Sequence, residues 1–204
     1  NRSPNTNEQE LISRFVTFLW DCGLELGHSV RTLGECIAAA KSDVTVMTNI
    51  LESRVLLGDD GLHKALMQKT DAEHMWPIVD FFEAKWDEQR MRYRSMAGPD
   101  FNLEPNIKTS PGGLRYIQTI IWIARRYWGD GDIQALVEKG FLNASEAVSF
   151  REGLDFLWRV RYALHMVAGR HEDRLVFEHQ LKIAETLGYV NDGGNLAVEK
   201  FMET

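Results

Sequence analysis

The sequence predicts a mainly α chain: a small α/β segment over residues 1–58, followed by an all-helical domain over 59–204. Three observations carry this. Apolar residues recur at three- and four-residue spacing in one segment after another, the pattern of a helix with one buried face. N-cap residues and glycine stops punctuate these segments. Only one stretch, Leu24 to Val30, alternates as a strand does, and beyond residue 59 every signal is helical.

The elements follow in order. Residues 1–7 read as a disordered lead-in. Leu11, Ile12, Phe15, Phe18 and Leu19 then mark an amphipathic helix that Gly23 ends. Leu24–Val30 reads as a short strand. Thr32 and Glu35 form a capping box that opens a short helix. Ser42 is placed to cap the next helix, running to Gly58. Pro77 suits the first turn of a long helix reaching about Met96. A polar loop with two prolines and a glycine pair occupies about 97–112. Leu114–Trp128 is the next helix, with Leu114, Ile117, Ile121, Ala124 and Trp128 as its buried stripe and Gly129 as its stop. A short helix covers about 132–139. Asn143 and Glu146 cap a long helix ending at Gly169, with Ala147, Phe150, Leu154, Leu157, Trp158, Leu164 and Ala168 on one side. Another runs from about Arg174 to Leu187. The chain stops inside a last helix near Met202, which suggests a piece of a larger protein.

Composition narrows the function classes. With 44% hydrophobic and 26% charged residues, the chain is an ordinary globular one. No apolar run approaches the roughly 18 residues that span a bilayer, so no membrane partner is expected. Two cysteines, Cys22 and Cys36, make no disulfide framework, and a cytoplasmic location is expected. A net charge of −7 argues against nonspecific nucleic-acid binding.

Several constellations could carry chemistry. Glu25 sits between Leu24 and Leu26 on the expected strand, and reads either as a working carboxylate or as a surface acid. Arg31 follows, its fork suited to phosphate oxygens or simply to solvent. Thr45, Thr48, Asn49 and Glu52 share one side of a helix. A solvated face usually carries better helix formers, so this stripe reads as hydrogen-bonding groups for a ligand. Arg115, Gln118, Trp122, Arg125 and Arg126 make a basic side on the helix after the loop. Gly112-Gly113 at its start would let an anion approach free backbone N–H groups. Arg161 falls within an apolar stripe and therefore calls for an acid from another helix. His165 reads as a satisfied core histidine, and His171-Glu172-Asp173 as a solvated link rather than a metal site. Asp130-Gly131-Asp132 has the spacing of a metal-binding carboxylate pair, but lies in a turn.

The loop Asn102-Leu-Glu-Pro-Asn-Ile-Lys108-Thr-Ser-Pro-Gly-Gly-Leu-Arg115 resembles the central signature of the bifunctional PII uridylyltransferase/uridylyl-removing enzymes. Leu24–Thr32, Asp43–Arg54, Phe156–His165 and Asp173–Phe177 resemble further family segments in the right order. The chain departs from the family pattern at Tyr116, where the family has Asp, and at Tyr93, where it usually has His. The resemblance implies that residues 1–58 are the end of a nucleotidyltransferase domain and 59–204 a helical domain. It implies a parent enzyme that transfers UMP from UTP to a tyrosine of PII with Mg²⁺, removes it again, and senses glutamine through domains absent here. In that setting Glu25 is the candidate catalytic carboxylate. Arg31, Thr45, Thr48, Asn49, Glu52, Asn102, Glu104, Lys108 and Arg115 are candidate nucleotide contacts. The loop is expected to face the threonine stripe, and Glu104 to pair with Arg115 or Arg54 or to bind a cation. The Asp-x-Asp strand and the adjacent His-Asp pair of the two catalytic centres are missing, so the piece alone is expected to be inactive. The alternative is a non-catalytic helical module for PII docking or interdomain regulation. A third reading, the adenylyltransferase of glutamine synthetase, fits the Asn102–Lys108 motif less well.

Overall fold

The computed structural model describes residues 2–95 and 103–204. Asn102 and the start of its loop lie outside them. The chain divides into two compact units, Asn1–Pro77 and Ile78–Thr204.

In the first unit, α1 (Thr6–Asp21) starts earlier than the composition suggests. Asn5 and Glu8 cap it reciprocally, and Arg2 pairs with Glu8 at 2.7 Å, so the lead-in is short. Its apolar stripe meets no core: no α1 residue is buried, and Leu11, Phe15 and Phe18 are exposed. The expected strand does not form. Leu24–Arg31 is irregular and exposed throughout. A strand exists only by pairing its backbone with a neighbour, and the described residues supply no neighbouring strand. The α/β segment is therefore helical and irregular instead. Then come α2 (Leu33–Ser42), with the Thr32–Glu35 box, and α3 (Val44–Leu51). Asp43, not Ser42, caps α3, its Oδ1 accepting from Thr45 N at 2.7 Å. The helix stops at Leu51 rather than Gly58. α4 (Asp60–Lys69) packs on α2, as does α3, and Ala40, Met47, Ile50 and Met75 are buried in this unit. The compact unit therefore extends past residue 58, to Pro77. Trp76 closes it by donating its indole N–H to Ala40 O at 2.6 Å.

In the second unit, α5 (Ile78–Ser95) begins directly after Pro77. It is followed by α6 (Leu114–Trp128), α7 (Ile133–Glu138), α8 (Ala144–Ala168), α9 (Phe177–Thr186) and α10 (Ala197–Glu203). The caps foreseen at Asn143–Glu146, Gly129 and Gly169 are all present. The main core gathers Ile107 from the loop, Leu114 from α6, Val160 and Leu164 from α8, Leu175 from the link after it, Ile183 from α9 and Phe201 from α10. Beyond residue 70 the described residues hold only isolated β-bridges, consistent with an all-helical unit.

Two stripes differ from expectation. α6 packs on both α5 and α8, so it buries two faces and draws in Trp122 and Arg126 from the supposed basic side. Both make cation–ring contacts: Lys85 Nζ is 4.4 Å from the Trp122 centroid, and Arg126 is 5.9 Å from that of Phe81. Lys85 is 2% exposed and ion-pairs with Glu88. Burial pushes its pKa down, and the Glu88 pair opposes this only in part. On α8, Val160 and Ala163 are buried, while Trp158 is exposed with Arg161 over its ring. No described helix is long and apolar enough to cross a membrane.

Candidate functional site

The loop after Asn102 is polar, so its backbone must find partners if it is to be ordered. It finds them in two places. Within the loop, Asn106 Oδ1 accepts from the N–H groups of Lys108 (3.0 Å) and Thr109 (2.9 Å). Asn106 N donates to Ser110 Oγ at 2.7 Å. Outward, the loop is laced to the link between α8 and α9. Ile107 N donates to Asp173 O (2.8 Å) and Leu175 N to Pro105 O (2.9 Å), giving an antiparallel bridge between Asn106 and Arg174. Gln180, buried on α9, donates to Leu103 O at 2.7 Å. Glu104 pairs with Arg174 at 3.0 Å and accepts from Phe177 N at 2.9 Å, capping α9 from a distance. Glu104 is thus engaged by Arg174 and a helix start rather than by Arg115.

At the centre of the link sits Asp173, 9% exposed. Arg161 Nε donates to its Oδ1 at 2.6 Å, and Nη2 lies 3.4 Å from Oδ2. His165 Nε2 is 3.4 Å from Oδ1, His171 Nε2 is 3.5 Å from Oδ2, and Lys108 Nζ is 3.9 Å from Oδ2. Burial alone would raise the Asp173 pKa. The Arg161 hydrogen bond and charge, aided by His165 and His171, outweigh it and hold the carboxyl below its usual range. Arg161 does find its acid, but in the link rather than on a helix, and the segment 171–173 is not simply solvated. His165 is half-buried and faces this ion cluster.

The glycine pair acts differently from the expected anion cradle. Gly112 takes φ +78°, which glycine allows at no steric cost. A Cβ on Gly113 would meet Ile107 O at 2.6 Å and Ser110 O at 2.9 Å. The N–H groups of Gly113, Leu114 and Arg115 donate to Ser110 O, Ile107 O and Lys108 O at 2.8, 3.0 and 2.8 Å. The first turn of α6, whose donors lack helical partners, is satisfied by its own loop. Its N–H groups are therefore not free for a phosphate. The Arg115 guanidinium lies 5.2 Å from the Trp122 ring centroid.

In the first unit, Glu25 is exposed on the irregular segment, beside Trp20 in a wide open depression. Arg31 lines a cleft of about 260 Å³ with Cys36, Ser53 and His63. Of the stripe, Thr45, Asn49 and Glu52 are exposed. Thr48 is buried and donates its hydroxyl to Thr45 O at 2.8 Å, so it faces the core rather than a ligand. Asp130 and Asp132 serve as turn and cap acceptors for Asp132 N and Gln134 N.

Mg²⁺ calls for several oxygen ligands. Among the described residues, the group of side chains close enough to share an ion is His165, His171 and Asp173, with one carboxylate that Arg161 already holds. This group does not fit Mg²⁺.

A profile of the GlnD PII-uridylyltransferase family matches residues 80–204. The bifunctional uridylyltransferase/uridylyl-removing enzyme of Pseudomonas syringae pv. syringae (strain B728a) is 50% identical over 195 residues, covering 96% of this chain. Its namesake in Stutzerimonas stutzeri (strain A1501) is 49% identical over 201 residues, 97% of this chain. That of Pseudomonas putida (strain GB-1) is 49% identical over 195 residues. The chain spans 22% of the length of each of these relatives. No solved structure matches. The profile covers most of α5, all of α6–α10 and the laced loop, and the identity extends over almost all the rest: the chain belongs to the GlnD PII-uridylyltransferase family.

Proposed function

We propose that this chain is part of an enzyme that transfers UMP from UTP to a tyrosine of PII and removes it again, with Mg²⁺ held by the parent protein's catalytic centre. We assign residues 1–58 to the end of its nucleotidyltransferase domain and 59–204 to its helical domain, with α4 packing back on α2 of the first. The observation that carries this is the sequence Leu103–Arg115, which matches the family signature and is held in one defined shape by α9 and the link before it. In this reading Lys108 and Arg115 are nucleotide contacts of the helical unit. Arg31, Thr45, Asn49 and Glu52 are candidates in the first unit, with Glu25 as candidate catalytic carboxylate. Asn102, Glu104 and Thr48 belong to the same proposal, with Glu104 and Thr48 acting through the framework they hold. Glutamine is the proposed effector, through other parts of the parent.

A second reading has a specific observation behind it. The loop's own hydrogen bonds are those of a brace, and a brace serves a non-catalytic module that docks PII or relays regulation equally well. One assay separates the two. In the intact enzyme, Lys108→Ala should raise KM for UTP by about tenfold, the usual scale for losing a charge-assisted hydrogen bond, with Tm unchanged. A fall in Tm with KM for UTP unchanged would favour the brace alone. The 204-residue chain assayed beside it should transfer no UMP to PII; measurable transfer would contradict its proposed inactivity.

A further inference from the structure

Lys108 is the loop residue whose charge the proposed function uses, yet it sits on a flexible four-carbon stem. Something must hold its ammonium group in place for it to meet a phosphate reproducibly. The backbone of Lys108 is fixed by Asn106 Oδ1 and by Arg115 N, which donates to Lys108 O. Its side chain points to a single carboxylate, Asp173 Oδ2, at 3.9 Å. That carboxylate is itself immobilised. Arg161 grips it with two nitrogens, and the two histidine rings, 4.8 Å apart, flank it. Arg161 Nη2 also lies 3.1 Å from His171 Nε2, so the same guanidinium borders that ring. Asp173 is tied from its main chain too, through Ile107 N, the residue next to Lys108. One residue thus fixes the loop by its carbonyl and approaches the loop's ammonium with its carboxylate.

We propose that Asp173 is a positioning residue for nucleotide use: with Arg161 behind it, it aims Lys108. This rests on the reading in which Lys108 contacts UTP. The geometry also limits what Asp173 can do itself. Arg161 and the two histidines surround its carboxylate, so it acts through Lys108 rather than as a base.

The test is a double-mutant cycle on the intact enzyme, with KM for UTP and kcat read separately. Asp173→Asn keeps the shape and the backbone bond to Ile107 while removing the charge that faces Lys108. It should raise KM for UTP by about three- to tenfold with kcat much less affected, the pattern of lost binding rather than lost chemistry. Added to Lys108→Ala, it should cause no further rise, because residues acting through one contact are not additive. Since Asp173→Asn leaves Arg161 without its acid, Arg161→Gln/Asp173→Asn is the companion variant: it restores a neutral pair and should show the same KM. If Lys108→Ala raises KM but neither Asp173 variant does, Asp173 does not position Lys108. Multiplying effects, or a loss of kcat and Tm with KM unchanged, also overturn the proposal. If Lys108→Ala itself leaves KM unchanged, it is the underlying nucleotide reading that fails.

Discussion

Asp173 shows how one buried carboxylate can set both the stability and the pH response of a loop. Its pKa is held below the ordinary 3.8, against the opposing effect of burial, by Arg161 and the flanking histidines. The folded state therefore binds its proton less tightly than the unfolded chain does. The stability it contributes is fully present above its unfolded value and is lost as pH falls through the folded value. Thermal unfolding followed from pH 6 to pH 2 should show wild type losing stability below about pH 4, the ordinary carboxylate range. Asp173→Asn should start roughly 2–4 kcal/mol lower at pH 6, somewhat under the full cost of breaking a buried pair because Arg161 keeps some solvent contact. The mutant should also lose less on acidification. Equal acid sensitivity in the two proteins would contradict the assignment. That Arg161 needed an acid was legible, because a cation in an apolar stripe requires one. Which acid was not: sequence spacing gives no distance between a helix and the link that follows it. Glu104 failed in the same way, its partner Arg174 lying 70 residues away and brought near by the loop's own backbone bridge.

At the scale of elements, local chemistry was read well wherever the determinant is local. The capping boxes at Thr32–Glu35 and Asn143–Glu146 and the glycine stops at Gly23, Gly129 and Gly169 appear where short-range hydrogen bonding demands them. The strand at Leu24–Val30 was misread because strand formation is decided by a partner, not by alternation. Trp122 and Arg126 were put on the wrong side of α6, because a helix wedged between two others buries more than one stripe. The glycine pair was seen, but its use was not. Gly113 is required by space, with two carbonyl oxygens where a Cβ would stand, and not by an anion. Gly113→Ala should therefore distort the loop and the first turn of α6 together. A loss of roughly 2–3 kcal/mol is expected, the scale of overpacking against rigid neighbours. Denaturant unfolding measures it, and a variant within about 0.5 kcal/mol of wild type, the range of neutral surface changes, would show that the contact is not the constraint.

For the whole molecule, the family and the mainly helical class were legible because the signature residues are contiguous and helical periodicity is strong. The extent of the compact units was not. α4 joins the first unit by packing on α2, a contact between residues far apart in sequence. The N–H groups at the start of α6 are occupied by the loop itself, so a nucleotide role for the loop rests on the Lys108 and Arg115 side chains and on the family match. The most direct measurement is photolabelling of the intact enzyme with a UTP analogue carrying its reactive group on the γ-phosphate, followed by peptide mapping. A nucleotide-contacting loop predicts an adduct within residues 103–118 that excess UTP abolishes and Lys108→Ala diminishes. UTP-protected adducts confined to other peptides, with 103–118 unmodified, would contradict it and leave the loop as a brace.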